Sequence, residues 1–375
     1  MNIPTQKQCF RGSPSSGKSS RHRSWWLQFP TGDDLQDLAT KGEVLKSSFI
    51  KWLTRWPLRV VLSSSVLLLV QITAFSSNAY ASGPSYIPPP VQSYYIPYNV
   101  TGLMANNWGK QQALTDASNG LNSVVILDFG AESADGSVTY TTDQLGSLTI
   151  SQDQYIAAQF ALGYQEDTNG TTVLSLEMGT NNSGSSVGYS NGQIWGNAVQ
   201  GVIIDASQSG WTQVNVGGAG DWESWNGTES YAALQNWESG YTSTTSSSLY
   251  DFGSADGYPS NYVDETGVTT PCAQPDWAPG SYYMAAWGWG PAFAVPQIYY
   301  QGCTINGTPY AAQEIQWANV SLWGAENSQT MIYFTAPLWA SGYCEPSPQD
   351  SYIDFWNALN NRSQTAMSPA YLAQI

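Results

Sequence analysis

Val124-Val125-Ile126-Leu127-Asp128-Phe129 and Val173-Leu174-Ser175-Leu176-Glu177-Met178 decide the fold class. Both are apolar without alternation, the pattern of a strand covered on two faces. Each ends in an acid and runs at once into glycine, as in Asp128-Phe129-Gly130-Ala131-Glu132 and Glu177-Met178-Gly179-Thr180-Asn181. Four more runs read as strands: Gln213–Val216, Ser248–Phe252, Phe293–Tyr299 and Met331–Phe334. A weaker one spans Tyr94–Val100. Helical stripes lie between them. Ile156, Phe160 and Tyr164 recur at i, i+4, i+8, Ala311, Ile315, Ala318 and Leu322 form a second stripe, and Asp354-Phe355-Trp356 opens a C-terminal helix. Strands alternating with helices predict parallel βαβ units. With seven strands located, a (β/α)8 barrel of TIM type over residues 94–375 is the expected α/β fold. An open doubly wound sheet is the alternative, and the missing glycine-rich dinucleotide fingerprint weighs against it.

In a (β/α) barrel the site forms where the strands end. The sequence places acids there in succession: Asp128, Glu177, the pair Asp221 and Glu223, then Asp251. The sharpest element is Gly217-Gly218-Ala219-Gly220-Asp221-Trp222-Glu223-Ser224-Trp225. Residues i and i+2 of a strand share a face, so Asp221 and Glu223 look into one volume, side chains roughly 6–7 Å apart. Two close carboxylates cannot both ionise freely, so one stays protonated and can donate. A donor beside a second carboxylate is the equipment for cleaving a glycosidic bond. The glycines let a sugar approach the backbone. The chain has 17 Trp and 23 Tyr, whose faces stack on pyranose rings. Trp222, Trp225 and Trp339 are candidates for that contact, with Asp128 and Glu177 as further binding groups. The blander reading makes single strand-end acids solvated and single tryptophans core.

The Asp-x-Glu strand resembles that of the family 18 chitinases and, more loosely, the family 25 lysozymes. The likeness implies a glycoside-hydrolase-like barrel in which Glu223 is the general acid and Asp221 orients the substrate's N-acetyl group. Leu249-Tyr250-Asp251 is similar to a later Tyr-Asp pair of family 18, which makes Tyr250 and Asp251 contacts for the acetamido group. Trp339, in Ala336-Pro337-Leu338-Trp339, is placed like the tryptophan that closes the floor of such sites. Val216 and Ala219 stand where the full pattern has further aspartates. The chain also resembles an uncharacterised bacterial group of secreted barrels.

Charge excludes other chemistries. Of 12 Lys+Arg, only Lys110 and Arg362 fall after residue 81, against 24 of the 28 acids. The single histidine, His22, lies before it. The body therefore has no imidazole for a Ser-His-Asp or Cys-His mechanism, nor for binding zinc. It has no footprint for nucleic acid and no cations to clamp phosphates. No run matches an EF-hand loop, and no cofactor or metal is expected.

The head reads as targeting sequence. Residues 1–45 form a basic disordered tail. In residues 46–81, Lys51, Arg55 and Arg59 precede an apolar run from Val60 to Phe75, followed by Asn78-Ala79-Tyr80-Ala81. That is a secretory signal peptide with cleavage after Ala81, and an uncleaved N-terminal membrane anchor is the alternative. The apolar run is shorter than the roughly 20 residues a spanning helix needs. Residues 82–93 form an extended leader. Gly12-Ser13-Pro14-Ser15-Ser16-Gly17-Lys18-Ser19 matches the P-loop pattern, but no apolar strand precedes it. After cleavage three cysteines remain. Cys272–Cys303 and Cys303–Cys344 are both open as disulfides.

The expected function is thus a secreted, extracellular, monomeric glycoside hydrolase acting on a neutral or acetamido polysaccharide. A non-catalytic glycan- or wall-binding barrel is the first alternative. An acid peptidase is the second, and the helical stripes weigh against its all-β form.

Overall fold

In the computed structural model the chain divides into two units, Met1–Ala81 and Ser82–Ile375. The residues described are 89, 91–141, 145–181, 188–223, 230–255, 277–288, 292–299, 304–305, 308–309, 312–327, 336–339, 347–361 and 365, all in the second unit. The head with its P-loop look-alike, the leader before residue 89, the three cysteines, Trp225 and the expected strand Met331–Phe334 lie outside them.

The second unit is mixed α/β with a mostly parallel sheet. Strands β1 (Gln92–Tyr95), β2 (Ser123–Glu132), β5 (Leu174–Asn181), β6 (Val214–Asp221), β7 (Leu249–Asp251) and β8 (Ala292–Ala294) pair side by side, each parallel to the next. β2 outruns its parallel neighbours and adds an antiparallel hairpin, β3 (Val138–Tyr140) and β4 (Ser147–Thr149), which the sequence reading did not foresee. Two of the expected strands are cut short by proline, which has no N–H for a ladder. β1 ends before Pro97, and β8 ends before Pro296. Leu338 makes parallel bridges to both Val91 and Gln297, touching the chain beside each edge of the sheet. Its N–H donates to the Pro296 carbonyl at 2.9 Å and its carbonyl accepts from Ile298 at 3.0 Å.

The helices start where side chains can cap them. Thr101 caps α1 (Gly102–Asn119), accepting from the Met104 N–H. Thr149 and Gln152 form a reciprocal capping box on α2 (Ile150–Asp167). α3 (Tyr189–Ser209) ends on Gly210, whose φ of 69° is left-handed backbone. Ser230 caps α4 (Tyr231–Thr242). A short helix, α5 (Pro279–Tyr283), runs into a π turn, and α6 (Gln313–Glu326) follows. The C-terminal helix α7 (Pro348–Asn360) begins six residues before the expected Asp354, because Ser347 caps it and Pro348 fits its first turn.

Two apolar clusters lie on opposite faces of the sheet. The larger joins Val125, Leu127, Phe129, Leu176 and Met178 to the helices. Trp195 of α3 is fully buried there and donates its indole N–H to the Met178 carbonyl at 3.1 Å. The smaller cluster contains Val124, Ile126, Ala219, Tyr250, Phe252, Val295 and Leu338, with no residue from a helix, and so marks the inner face.

Glycine sets how closely the helices pair. A Cβ on Gly109 of α1 would overlap the Phe160 carbonyl of α2, and one on Gly163 of α2 would overlap the Asn106 carbonyl of α1. The same reciprocity joins α3 and α4: Gly192 sits on the Trp237 carbonyl and Gly240 on the Tyr189 carbonyl. Gly192→Ala forces backbone apart at a packed crossing and is expected to cost about 3 kcal/mol or more. Gly188→Ala, where the added methyl meets open space, is the control. Urea midpoints for the two variants measure the contrast, and equal midpoints would contradict it.

Candidate active site

Alternation fixes which acids share a face. Asp128 continues the inner positions Val124 and Ile126 of β2. Asn181 of β5 lies opposite Asp221 of β6 in register and hydrogen-bonds the Asp128 carboxyl. Asp128 pairs in register with Gly179, so Asp128, Asn181 and Asp221 form a staggered row across three adjacent strands. Glu223 follows two residues beyond the end of β6. It is buried, and its Oε1 accepts the Ser254 N–H at 3.2 Å from the turn after β7.

Tyr299 completes this group. Its backbone N–H donates to Gln313 Oε1 at 2.6 Å, which fixes the segment after β8 to α6. Burial raises its phenol well above the ordinary value, a Gln297 hydrogen bond opposes the rise, and Tyr95, Asp221 and Glu223 add to it. Asp221 and Glu223 therefore lie near enough for their charge to be felt at this phenol, which keeps its proton. The sequence reading missed Tyr299, although it ends the run Phe293–Tyr299. It also missed Asn181 and Ser254, since neither residue type signals chemistry on its own.

The other proposed residues are placed differently. Glu177 is not at a strand end. It sits mid-strand on the inner face, paired with Ile126 and Gly217, and is fully buried. Ser175 donates to its Oε1 at 2.7 Å. Burial drives its pKa well above the carboxylate range, and hydrogen bonds from Ser175 and Ser248 only partly oppose this. Tyr250 is inner and buried, tilted against Phe293 with ring centroids 5.7 Å apart. Its phenol is raised by burial and then by Glu177.

Asp251 alternates away from Tyr250, onto the side of Leu249. Its carboxyl accepts the Gly253 N–H at 3.0 Å and a Trp222 backbone bond. Those two contacts hold the turns that carry Glu223 and Ser254. Asp128 makes the same short-range bond to the Gly130 N–H at 2.8 Å. Burial pushes Asp128 and Asp251 each up to about 7, with these hydrogen bonds opposing.

Trp222 folds back over Gly220, where any Cβ would collide with the indole, and lies edge-on to Trp237 at 5.5 Å. It is buried in the helix-facing core. Trp339 is half-buried beside the Leu338 bridges. The structure thus puts Asp128, Asn181 and Asp221 on successive strands with Glu223 just beyond Asp221, sends Asp251 and Trp222 to the other side, and seats Glu177 and Tyr250 below them. Among the described residues no group of three His, Cys, Asp or Glu is arranged for a metal ion, and no helix is long and apolar enough to cross a membrane.

Chemically, the row offers two carboxyls that can divide proton donor and base between them, a neutral phenol donor and a side-chain amide. No protein-family model matches the chain. No curated protein sequence matches it. Among solved structures it is similar to an endo-1,4-beta-mannanase from Rhizomucor miehei, at 10% identity over 75% of this chain and 99% of that one, with a TM-score of 0.27. A likeness at that level fixes neither fold nor activity.

Proposed function

We propose that residues 82–375 are an exported glycoside hydrolase acting on a neutral or acetamido polysaccharide, with Glu223 as proton donor and Asp221 as its partner. The observation that carries this reading is the placement of Asp221 at the end of β6 with Glu223 two residues beyond it, buried and held by the Ser254 N–H, both near Tyr299. Two neighbouring carboxyls are the arrangement glycosidic cleavage uses. In this reading the parallel sheet is the wall of a (β/α) barrel that is not closed among the described residues, and the Leu338 bridges to Val91 and Gln297 support its completion by the segment 336–339. The acids then lie at the barrel's mouth. Export rests on the basic and apolar head ending in Ala79-Tyr80-Ala81. A body near −22 repels anionic polymers, which leaves neutral ones as substrates.

The test is release of reducing ends from soluble and insoluble glycans at mildly acid pH. Cleavage of at least one neutral or acetamido glycan is expected, and no release from any of them would refute the assignment. A second reading, a glycan-binding barrel without catalysis, is favoured by the burial of Asp128, Glu177, Glu223 and Asp251, four of the five acids, which keeps them from easy reach of substrate.

A further inference from the structure

A second site of different construction lies in the outer helical layer. Between α2 and α3 the surface sinks into a groove of about 420 Å³, bounded by Gln154, Tyr155, Gln159, Asp205, Gln208 and Trp211. Its volume is in the range of small-ligand sites, which begin near 300 Å³. The phenol end of Tyr155 rests against Gly102 at the start of α1, where a Cβ would lie 2.6 Å from the ring. Over half of this residue's surface remains open to solvent. Across the groove, Gly201 of α3 makes room for the amide of Gln154, which a Cβ there would displace. Trp211 is half-buried and packs against the helix-facing core. On the far side of Trp211, the N–H groups of Thr212 and Gln213 both donate to Gln165 Oε1 at 3.0 Å, which ties the chain after α3 to α2.

We propose that this groove binds a neutral, hydroxyl-rich ligand, an oligosaccharide chain of several residues. The chemistry of the lining selects that class. Two aromatic rings backed by glycine or core offer apolar faces at little entropy cost. Three glutamine amides supply donors and acceptors together, as ring hydroxyls require. Asp205 is the only charged group in the lining, so phosphate or carboxylate ligands find no cation there. Because the groove faces outward from the helices while Asp221 and Glu223 serve the inner side, its occupancy does not depend on the proposed hydrolytic site. Its function there is to hold a polymer on the protein surface.

The experiment titrates the full chain with cellohexaose, mannohexaose and chitohexaose by calorimetry, with hydrogen exchange to locate protection. One hexaose should bind and protect residues 151–159 and 205–211. Tyr155→Ala and Gln208→Ala, both at exposed positions, should each weaken that binding about tenfold, a change of ~1.4 kcal/mol, with melting temperature unchanged. Asp221→Asn should leave it intact. The proposal is overturned if no hexaose binds, or if binding survives both groove variants. It is also overturned if protection maps only to the strand ends and is lost in Asp221→Asn. A concentration-dependent dimer abolished by Gln208→Ala would assign the groove to a second copy of the chain and overturn it as well. A failure here leaves reducing-end release untouched, and a failure of hydrolysis leaves hexaose binding untouched.

Discussion

Raising the pH from 5 to 8 is expected to lower the melting temperature by about 6 °C, a size set by roughly 2 °C per kcal/mol in a domain of this length. The cause is an unusual store of buried carboxyls. Burial pushes Asp128, Glu132 and Asp251 each up to about 7, and Asp153 and Glu177 well above the carboxylate range. In the unfolded chain the same groups titrate near 4. Between about pH 4 and pH 7 the folded state therefore holds protons that the unfolded state has shed. More protons bound in the native state means stability falls as pH rises through that window. A carboxyl moved from 3.8 to about 7 disfavours the folded state at high pH by roughly 3–4 kcal/mol, at 1.36 kcal/mol per unit. Realising even a third of that at each of three sites is ~3 kcal/mol, a large part of a typical 5–15 kcal/mol stability. Scanning calorimetry of the full chain from pH 4.5 to 8.5 gives the answer, and a melting temperature that is flat or rises with pH would rule the idea out.

General repulsion among surface acids predicts the same sign, so a variant must separate the two. Glu132 lies at the end of β2, opposite Thr139 of β3. The Trp237 indole N–H donates to its Oε1 at 2.6 Å, and Thr139 donates to Asp153 Oδ2 at 3.1 Å. Glu132 adds to the rise at Asp153, so the two buried carboxyls feel each other's charge. Glu132→Gln keeps the indole bond and removes one ionisable group. It should raise the melting temperature at pH 8 while changing it little at pH 5. Added salt screens surface repulsion and hardly affects this buried pair, so the difference should persist at high ionic strength.

The parallel βαβ plan was legible because its signal is local. Val124–Phe129 and Val173–Met178 are too continuously apolar to be half-exposed strands, and Ile156, Phe160 and Tyr164 do form a buried helix face. The hairpin β3–β4 was not legible, since Val138–Tyr140 and Ser147–Thr149 are three residues each and carry no pattern of their own. The glycines at the helix crossings were present in the sequence, but their role depends on which carbonyl lies opposite. At the site, Asp221 and Glu223 could be found because i, i+2 spacing is a property of the chain. Their nearness to Tyr299 could not, because the sheet brings close residues that are 76 positions or more apart in sequence. Asp251 and Glu177 show the opposite failure. Sequence places an acid near a strand end, but only the pairing register shows that one sits mid-strand and the other turns to the outer face.

Glu223→Gln should lower turnover on a cleaved glycan by about 10²–10⁴, the loss typical of a general acid. The substitution keeps the shape of the side chain and an oxygen for the Ser254 N–H, so the turn after β7 should hold its place. What it removes is the proton. Asp221 lies on the same side and acts on the same phenol, so its negative charge favours a protonated neighbour. Asp221→Asn withdraws that charge and should move the alkaline limb of the pH–rate profile toward acid. Tyr299 stays neutral at all working pH values and donates without competing for the proton. Tyr299→Phe should therefore reduce the maximal rate while leaving two ionisations in the profile. If Glu223→Gln hydrolyses the glycan at the wild-type rate, Glu223 is not the donor. If hydrolysis is lost in Asp221→Asn but kept in Glu223→Gln, the roles belong to Asp221 and the row of Asp128 and Asn181 beside it. Binding without cleavage, dependent on Trp339 and indifferent to both acids, would instead make the site a surface that holds polysaccharide.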